Sequence, residues 1–166
     1  MTKQELLELL DELDDCSCGR TLVESGPCRT FELAWDRDGN HQVLAWWRRM
    51  VTREWTDEPV FVQKMKSAEL METLLDLLVR IEEYCHKGTL RIPEQLNTLD
   101  ESQGLLEIKC SRGRIPFYEH GELFPSSRGT HGFYKNSART PQGEIDRGLA
   151  IKRVDQERST DGCHRK

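Results

Sequence analysis

The sequence predicts an α+β fold. An N-terminal strand and a helical hairpin pack on a small antiparallel sheet, a C-terminal helix closes the domain, and an extra acidic helix precedes it. Three observations carry this. Between Ala68 and Cys85, apolar residues recur at helical spacing: Met71, Leu74, Leu75, Leu78, Ile81 and Tyr84 or Cys85. From Leu105 to Tyr134, short apolar runs alternate with turn residues, which is the pattern of hairpins. Thr140-Pro141 then opens a last helical stretch, as N-cap and first helical residue.

The elements follow in order. Thr2 to Asp15 reads as a helix, with Thr2 and Glu5 in capping-box positions and Leu6, Leu9, Leu10 and Leu13 on one stripe. Residues 16–29, with Gly19, Gly26 and Pro27, form a connection with a short strand around Thr21–Val23. Phe31, Leu33 and Trp35 alternate with polar or small neighbours, so Thr30–Asp36 is a half-buried strand ended by Asp38-Gly39-Asn40. Helical sequence covers His41–Glu54. After Pro59 it resumes to about His86, and Gly88 serves as C-cap. Trp46 and Trp47 lie on this helical part and are expected in the core. Leu90–Gln103 reads mostly as loop. Strands are expected at Leu105–Cys110, Arg114–Glu119 and Thr130–Tyr134, with a turn at His120-Gly121-Glu122. Pro116 cannot donate to a ladder and implies an edge or bulge. The boundaries drawn from this are 1–29 for the acidic helix and connection, 30–158 for the main domain and 159–166 for a tail.

The chain has 166 residues and a formal net charge of -5, but the charge is uneven. Residues 1–104 hold 12 Lys/Arg against 21 Asp/Glu, whereas residues 105–153 hold 9 against 5. The local excess follows the predicted strands, and binding responds to the local field. A sheet carrying Lys109, Arg112, Arg114, Arg128, Lys135 and Arg139 suits a polyanion, with RNA the leading candidate. No run approaches the roughly 18 apolar residues that cross a bilayer, and the acidic helical start is unlike a signal or transit peptide. A cytoplasmic protein with no membrane partner is expected.

The six cysteines are expected as reduced thiols. Cys16, Cys18 and Cys28 offer three possible zinc ligands, but the usual paired two-residue spacing is absent and no fourth ligand is evident. No metal and no cofactor are expected. Cys85 and Cys110 should pack in or beside the core. The acidic helix has two possible seats. It can lie beside the basic sheet, where it would weaken RNA binding, or on the helical hairpin.

Four segments appear in a telling order: Gly104-Leu105-Leu106-Glu107-Ile108-Lys109, Arg114-Ile115-Pro116-Phe117-Tyr118, His131-Gly132-Phe133-Tyr134-Lys135 and Thr140-Pro141. Their order and spacing resemble the RelE/ParE superfamily of toxins, in its HigB-like, phage-derived branch. The resemblance covers Phe31 to Arg158. It implies a RelE-like fold and a toxin of a type II toxin-antitoxin system. Its activity would be metal-independent mRNA cleavage on the ribosome, its partners mRNA, the ribosome and an antitoxin protein. In that chemistry the RNA 2'-OH attacks the adjacent phosphate. By resemblance, Arg114 stabilises the phosphorane and Lys135 neutralises the substrate. Tyr118 or His131 serves as acid or base, and histidine has the more suitable pKa. Lys109, Arg112, Arg128 and Arg139 would bind RNA phosphates.

The sequence departs from the pattern at Lys109, where arginine is usual, at Asn136, where a second lysine is usual, and at Pro116. It also inserts Pro125–Gly129. These departures keep two alternatives open. One is a catalytically inactive RelE-fold module that binds a host protein or antitoxin, and the other is a ParE-like gyrase inhibitor.

Overall fold

A computed structural model describes residues 1–13, 20–121 and 125–158. The fold is α+β, with helices on both faces of an open mixed sheet. Helix α1 spans Lys3–Leu13, and strands β1 (Leu22–Ser25) and β2 (Thr30–Leu33) form a hairpin. Helices α2 (Gln42–Thr52), α3 (Val60–Gln63) and α4 (Ser67–Lys87) follow. Next come β3 (Leu96–Asp100), β4 (Leu105–Cys110), β5 (Gly113–His120), β6 (Ser126–Gly129), β7 (Phe133–Tyr134) and α5 (Gln142–Glu157). No described helix is long and apolar enough to cross a membrane.

The sheet order is β1-β2-β6-β5-β4-β3, with β7 also paired to β5. Every pairing is antiparallel except β2 with β6. The expected all-antiparallel sheet is therefore corrected to a mixed one. Two further corrections enlarge it. Part of the Leu90–Gln103 segment is β3, an edge strand on β4. The expected third strand at Thr130–Tyr134 splits in two, because Ser126–Gly129 is itself a strand between β2 and β5, and pairing resumes at Phe133. Pro116 sits where the neighbour of β5 changes from β6 to β7. Its carbonyl is taken by the Thr130 backbone N–H at 2.8 Å, outside both ladders.

Side chains alternate along β5 and sort into two layers. Ile115 and Phe117 face the main core, where Phe117 meets Tyr84 of α4 edge-on at 5.5 Å and Phe31 of β2 at 5.8 Å. Helix α4 buries Leu70, Leu74, Leu77, Ile81, Tyr84 and Cys85 on this side. Gly88 ends α4 at φ 81°, a left-handed conformation that glycine adopts without a Cβ penalty, and its N–H reaches the Tyr84 carbonyl. On the opposite face, Arg114 and Tyr118 point toward the α5 side, and the Tyr118 hydroxyl donates to Asp155 of α5.

Helix α1 forms its capping box as the sequence indicates. The Glu5 N–H donates to Thr2 Oγ1 at 3.1 Å, and the Thr2 N–H donates to Glu5 Oε2 at 2.6 Å. Of its two possible seats it takes the helical one. It packs on α2, burying Leu6 and Leu10, and Asp11 pairs with Arg48 at 3.0 Å. It therefore does not shield the basic sheet. The N-terminus of α5 also differs by one step: Pro141 occupies the N-cap position, and the Thr140 hydroxyl turns to Glu107 at 3.3 Å.

Gly132 lies flat against Trp46 of α2. A Cβ built there would fall 1.9 Å from Trp46 Cε3, and Trp46 is itself held against Tyr134 at 5.5 Å between ring centroids. Gly132→Ala is expected to cost roughly 3 kcal/mol, the upper range for overpacking, read as a drop in the urea midpoint. A midpoint equal to wild type would mean that the β6–β7 connection does not press on Trp46.

Candidate functional site

The ten-residue span from Lys109 to Tyr118 makes a tight hairpin, and its register fixes the cations. Lys109 of β4 lies opposite Arg114 of β5, and Arg114 in turn pairs with Phe133 of β7. The Lys135 N–H then bonds the Arg112 carbonyl at 2.8 Å. Lys109, Arg112, Arg114 and Lys135 therefore border one open depression of about 450 Å³, together with Asn136, Ser137 and Ala138.

The four cations are held differently. Arg112 is exposed, while Lys109 and Lys135 are half-buried. Lys109 donates to the Pro93 carbonyl at 2.9 Å. Arg114 is 9% exposed, and its Nη1 donates to the carbonyls of Ser111 at 2.7 Å and Gly113 at 2.9 Å. Its Nε has no hydrogen bond among the described residues, with the Glu107 carboxylate 3.8 Å away. Burial lowers the Arg114 pKa from its ordinary value, against the pull of Glu107. Burial also lowers the Lys135 pKa. Glu107 opposes that shift, and the charges of Arg114 and Lys109 add to it.

Glu107 is the site residue that the sequence reading passed over. It is fully buried, accepts from Thr140, and gives Arg114 its carboxylate neighbour. The signal was present in β4: Leu105, Glu107 and Lys109 alternate, so Glu107 shares a face with Lys109.

Four expected site residues stand elsewhere. Tyr118 lies four positions from Arg114 along β5, roughly 13 Å at the usual strand rise. It is 1% exposed, and burial next to Asp155 raises its hydroxyl pKa far above the ordinary value. Arg128 is expected on the RNA surface but has no exposed area. It lies 3.5 Å from Asp155 Oδ2 and 3.5 Å from the Tyr118 hydroxyl. Asp155 also accepts from Arg20 and from the Trp35 N–H at 3.0 Å, and Arg20 lies 3.8 Å from the buried Glu32. This buried charge cluster joins α5 to the sheet. A cation finds two reasons to be buried here, a carboxylate partner and a cation-accepting wall, since Arg20 also stacks over Trp35 at 5.0 Å.

His131 is also fully buried. One ring nitrogen meets Glu144 at 2.9 Å and the other Thr130 Oγ1 at 3.0 Å, and burial lowers its pKa. It stacks on Phe133 with ring planes 20° apart. Neither His131 nor Tyr118 borders the cationic depression. Arg139 is exposed and lies outside its lining.

Among the described residues, no group of three His, Cys, Asp or Glu side chains is placed to hold a metal ion. Cys16 and Cys18 of the considered zinc trio lie outside the described residues. Burial pushes the Cys85 thiol up to about 12, which keeps it neutral and unreactive. Cys28 is half-buried and free.

No family model matches this chain, and no curated protein matches its sequence.

Proposed function

We propose that this chain is a RelE/ParE-type toxin of the HigB-like branch, a metal-independent endoribonuclease that cleaves mRNA on the ribosome and stops translation. The observation that carries the reading is the convergence of Lys109, Arg112, Arg114 and Lys135 on one open depression. The order of strand, helical hairpin, strands and final helix supports it. An antitoxin would complete the system by covering that depression.

The chemistry has defined roles. The RNA 2'-OH loses its proton and attacks the adjacent phosphorus. The bond to the 5' oxygen breaks, leaving a 2',3'-cyclic phosphate and a 5'-hydroxyl end. Arg114 is oriented by two backbone carbonyls, so its guanidinium meets the phosphorane charge with little reorganisation. Lys109 and Arg112 bind flanking phosphates. Lys135 takes the 2'-OH proton, in place of the buried Tyr118 and His131, because it borders the depression where the RNA lies. The leaving oxygen takes its proton from solvent in the open depression.

The sign of the pH dependence follows. A base must be deprotonated, so the rate rises with pH as the neutral amine of Lys135 accumulates. Lys135→Arg keeps the charge but cannot lose its proton near neutrality. It is expected to lower cleavage by about 10²- to 10⁴-fold and to flatten the rise with pH. A rise with pH that persists in Lys135→Arg would place the base elsewhere.

One observation favours a second reading. The depression lacks the expected tyrosine and histidine, as an inactive binding module would. Adding the purified protein to a translation extract separates the two. The toxin reading predicts that synthesis stops and mRNA shortens. Intact mRNA with the protein in excess over ribosomes, whether or not synthesis stops, contradicts the toxin reading and supports the binding module.

A further inference from the structure

A second cavity, about 460 Å³, opens beside the cationic depression and shares Lys135, Asn136 and Ser137 with it. Its volume lies in the usual range for small-molecule sites, roughly 300–1,000 Å³. Its lining combines aromatic and acidic residues with the cations Arg49, Lys135 and Arg147. Phe61 and Phe133 are half-buried aromatics, and Asp57 and Glu144 contribute carboxylates.

Phe133 is braced from behind. His131 stacks against it at 5.6 Å between ring centroids, and His131 is itself pinned by Glu144 and Thr130. A rigid ring at a cavity wall is a stacking platform for a planar partner. The nearby acid groups accept hydrogen bonds. Asp57 is exposed, and its Oδ1 receives the Thr56 hydroxyl at 3.0 Å, which leaves acceptor capacity on the carboxylate.

We infer that this cavity holds a nucleobase of single-stranded RNA, the base belonging to a nucleotide whose phosphate lies over Lys135, and that the base it prefers is guanine. The inference rests on the reading that the cationic depression binds RNA phosphates. The cavity mouth meets that depression at Lys135, so one nucleotide can span both. Guanine presents adjacent N1–H and amino donors, which match a carboxylate bidentately. Adenine and cytosine each offer one amino group and uracil a single imino donor, so none of the three matches a carboxylate bidentately. His131 then acts as a positioning residue, setting the Phe133 ring rather than touching substrate.

The test uses the full chain and fluorescently labelled RNA pentamers, all-uridine or with one central guanosine, adenosine or cytidine. Binding is measured across salt concentrations. The guanosine pentamer is expected to bind roughly tenfold tighter than all-uridine, with adenosine and cytidine between. Phe133→Ala is expected to bring the guanosine-to-uridine ratio close to one. Asp57→Asn, a substitution at an exposed position, is expected to reduce that ratio severalfold.

Equal affinity for all four pentamers, with salt-sensitive binding intact, would overturn the base site while leaving the phosphate reading standing. An undiminished guanosine preference in both variants would overturn the placement. Absence of salt-sensitive binding to any pentamer would overturn the phosphate reading and the base site together.

Discussion

Asp155→Ala is expected to destabilise the protein by about 3–5 kcal/mol, enough to remove a large share of the stability of an ordinary domain. Asp155 has no exposed area and accepts from Arg20, the Trp35 N–H and Tyr118, with Arg128 at 3.5 Å. Arg20 is 1% exposed and Arg128 fully buried, so removing the carboxylate strands positive charge inside the fold. Asp155→Asn keeps the shape and one acceptor oxygen but drops the charge, and should fall between alanine and wild type. Urea denaturation reads all three proteins. A loss below about 1 kcal/mol for Asp155→Ala, the range of exposed ion pairs, would mean that solvent reaches this cluster.

The second large effect is on activity. Replacing Arg114 is expected to lower RNA cleavage by about 10²- to 10³-fold, the usual consequence of losing one oriented donor to transition-state charge. Arg114→Ala also leaves buried Glu107 without its cation, so part of any loss would come from folding. Arg114→Lys separates the two causes. It keeps the charge beside Glu107 and loses the planar fork together with its bonds to the Ser111 and Gly113 carbonyls, so it should fold and still lose about tenfold or more. Cleavage is therefore compared per folded molecule, with near-ultraviolet circular dichroism as the folding control. Wild-type rates in a folded Arg114→Lys protein would remove Arg114 from the chemistry.

The helices were legible because they carry their own signal. The stripe of α4 and the cap at Gly88 are local features, and the capping box of α1 forms as Thr2 and Glu5 indicate. The stripe was legible only to within a fraction of a turn. The structure buries Leu70 and Leu77, while Met71, Leu75 and Leu78 pack partly buried at its margin.

Strands β3 and β6 were illegible for different reasons. Leu96–Asp100 is a short edge strand set among turn-forming residues. Ser126–Gly129 has no apolar alternation at all. It becomes a strand because β2, almost a hundred positions earlier in the chain, runs parallel to it, and no local pattern encodes that partner.

The site divides along the same line. Lys109 and Arg114 face each other across one hairpin, so strand alternation and a tight turn suffice to place them together. Arg128 looks like a surface cation until Asp155 arrives from the far end of the chain on α5. His131 and Tyr118 likewise find their partners, Glu144 and Asp155, on α5, and that helix turns them from exposed groups into buried ones.

The most direct test of the central claim is to map mRNA ends in a translation extract treated with purified wild-type protein, in the presence of EDTA, with Arg114→Lys as the control. The account predicts new 5'-hydroxyl ends paired with 2',3'-cyclic phosphates, appearing within coding sequence and at least about tenfold fewer with Arg114→Lys. Intact mRNA at protein concentrations that exceed the ribosomes, or cleavage that proceeds equally well with Arg114→Lys, would contradict it.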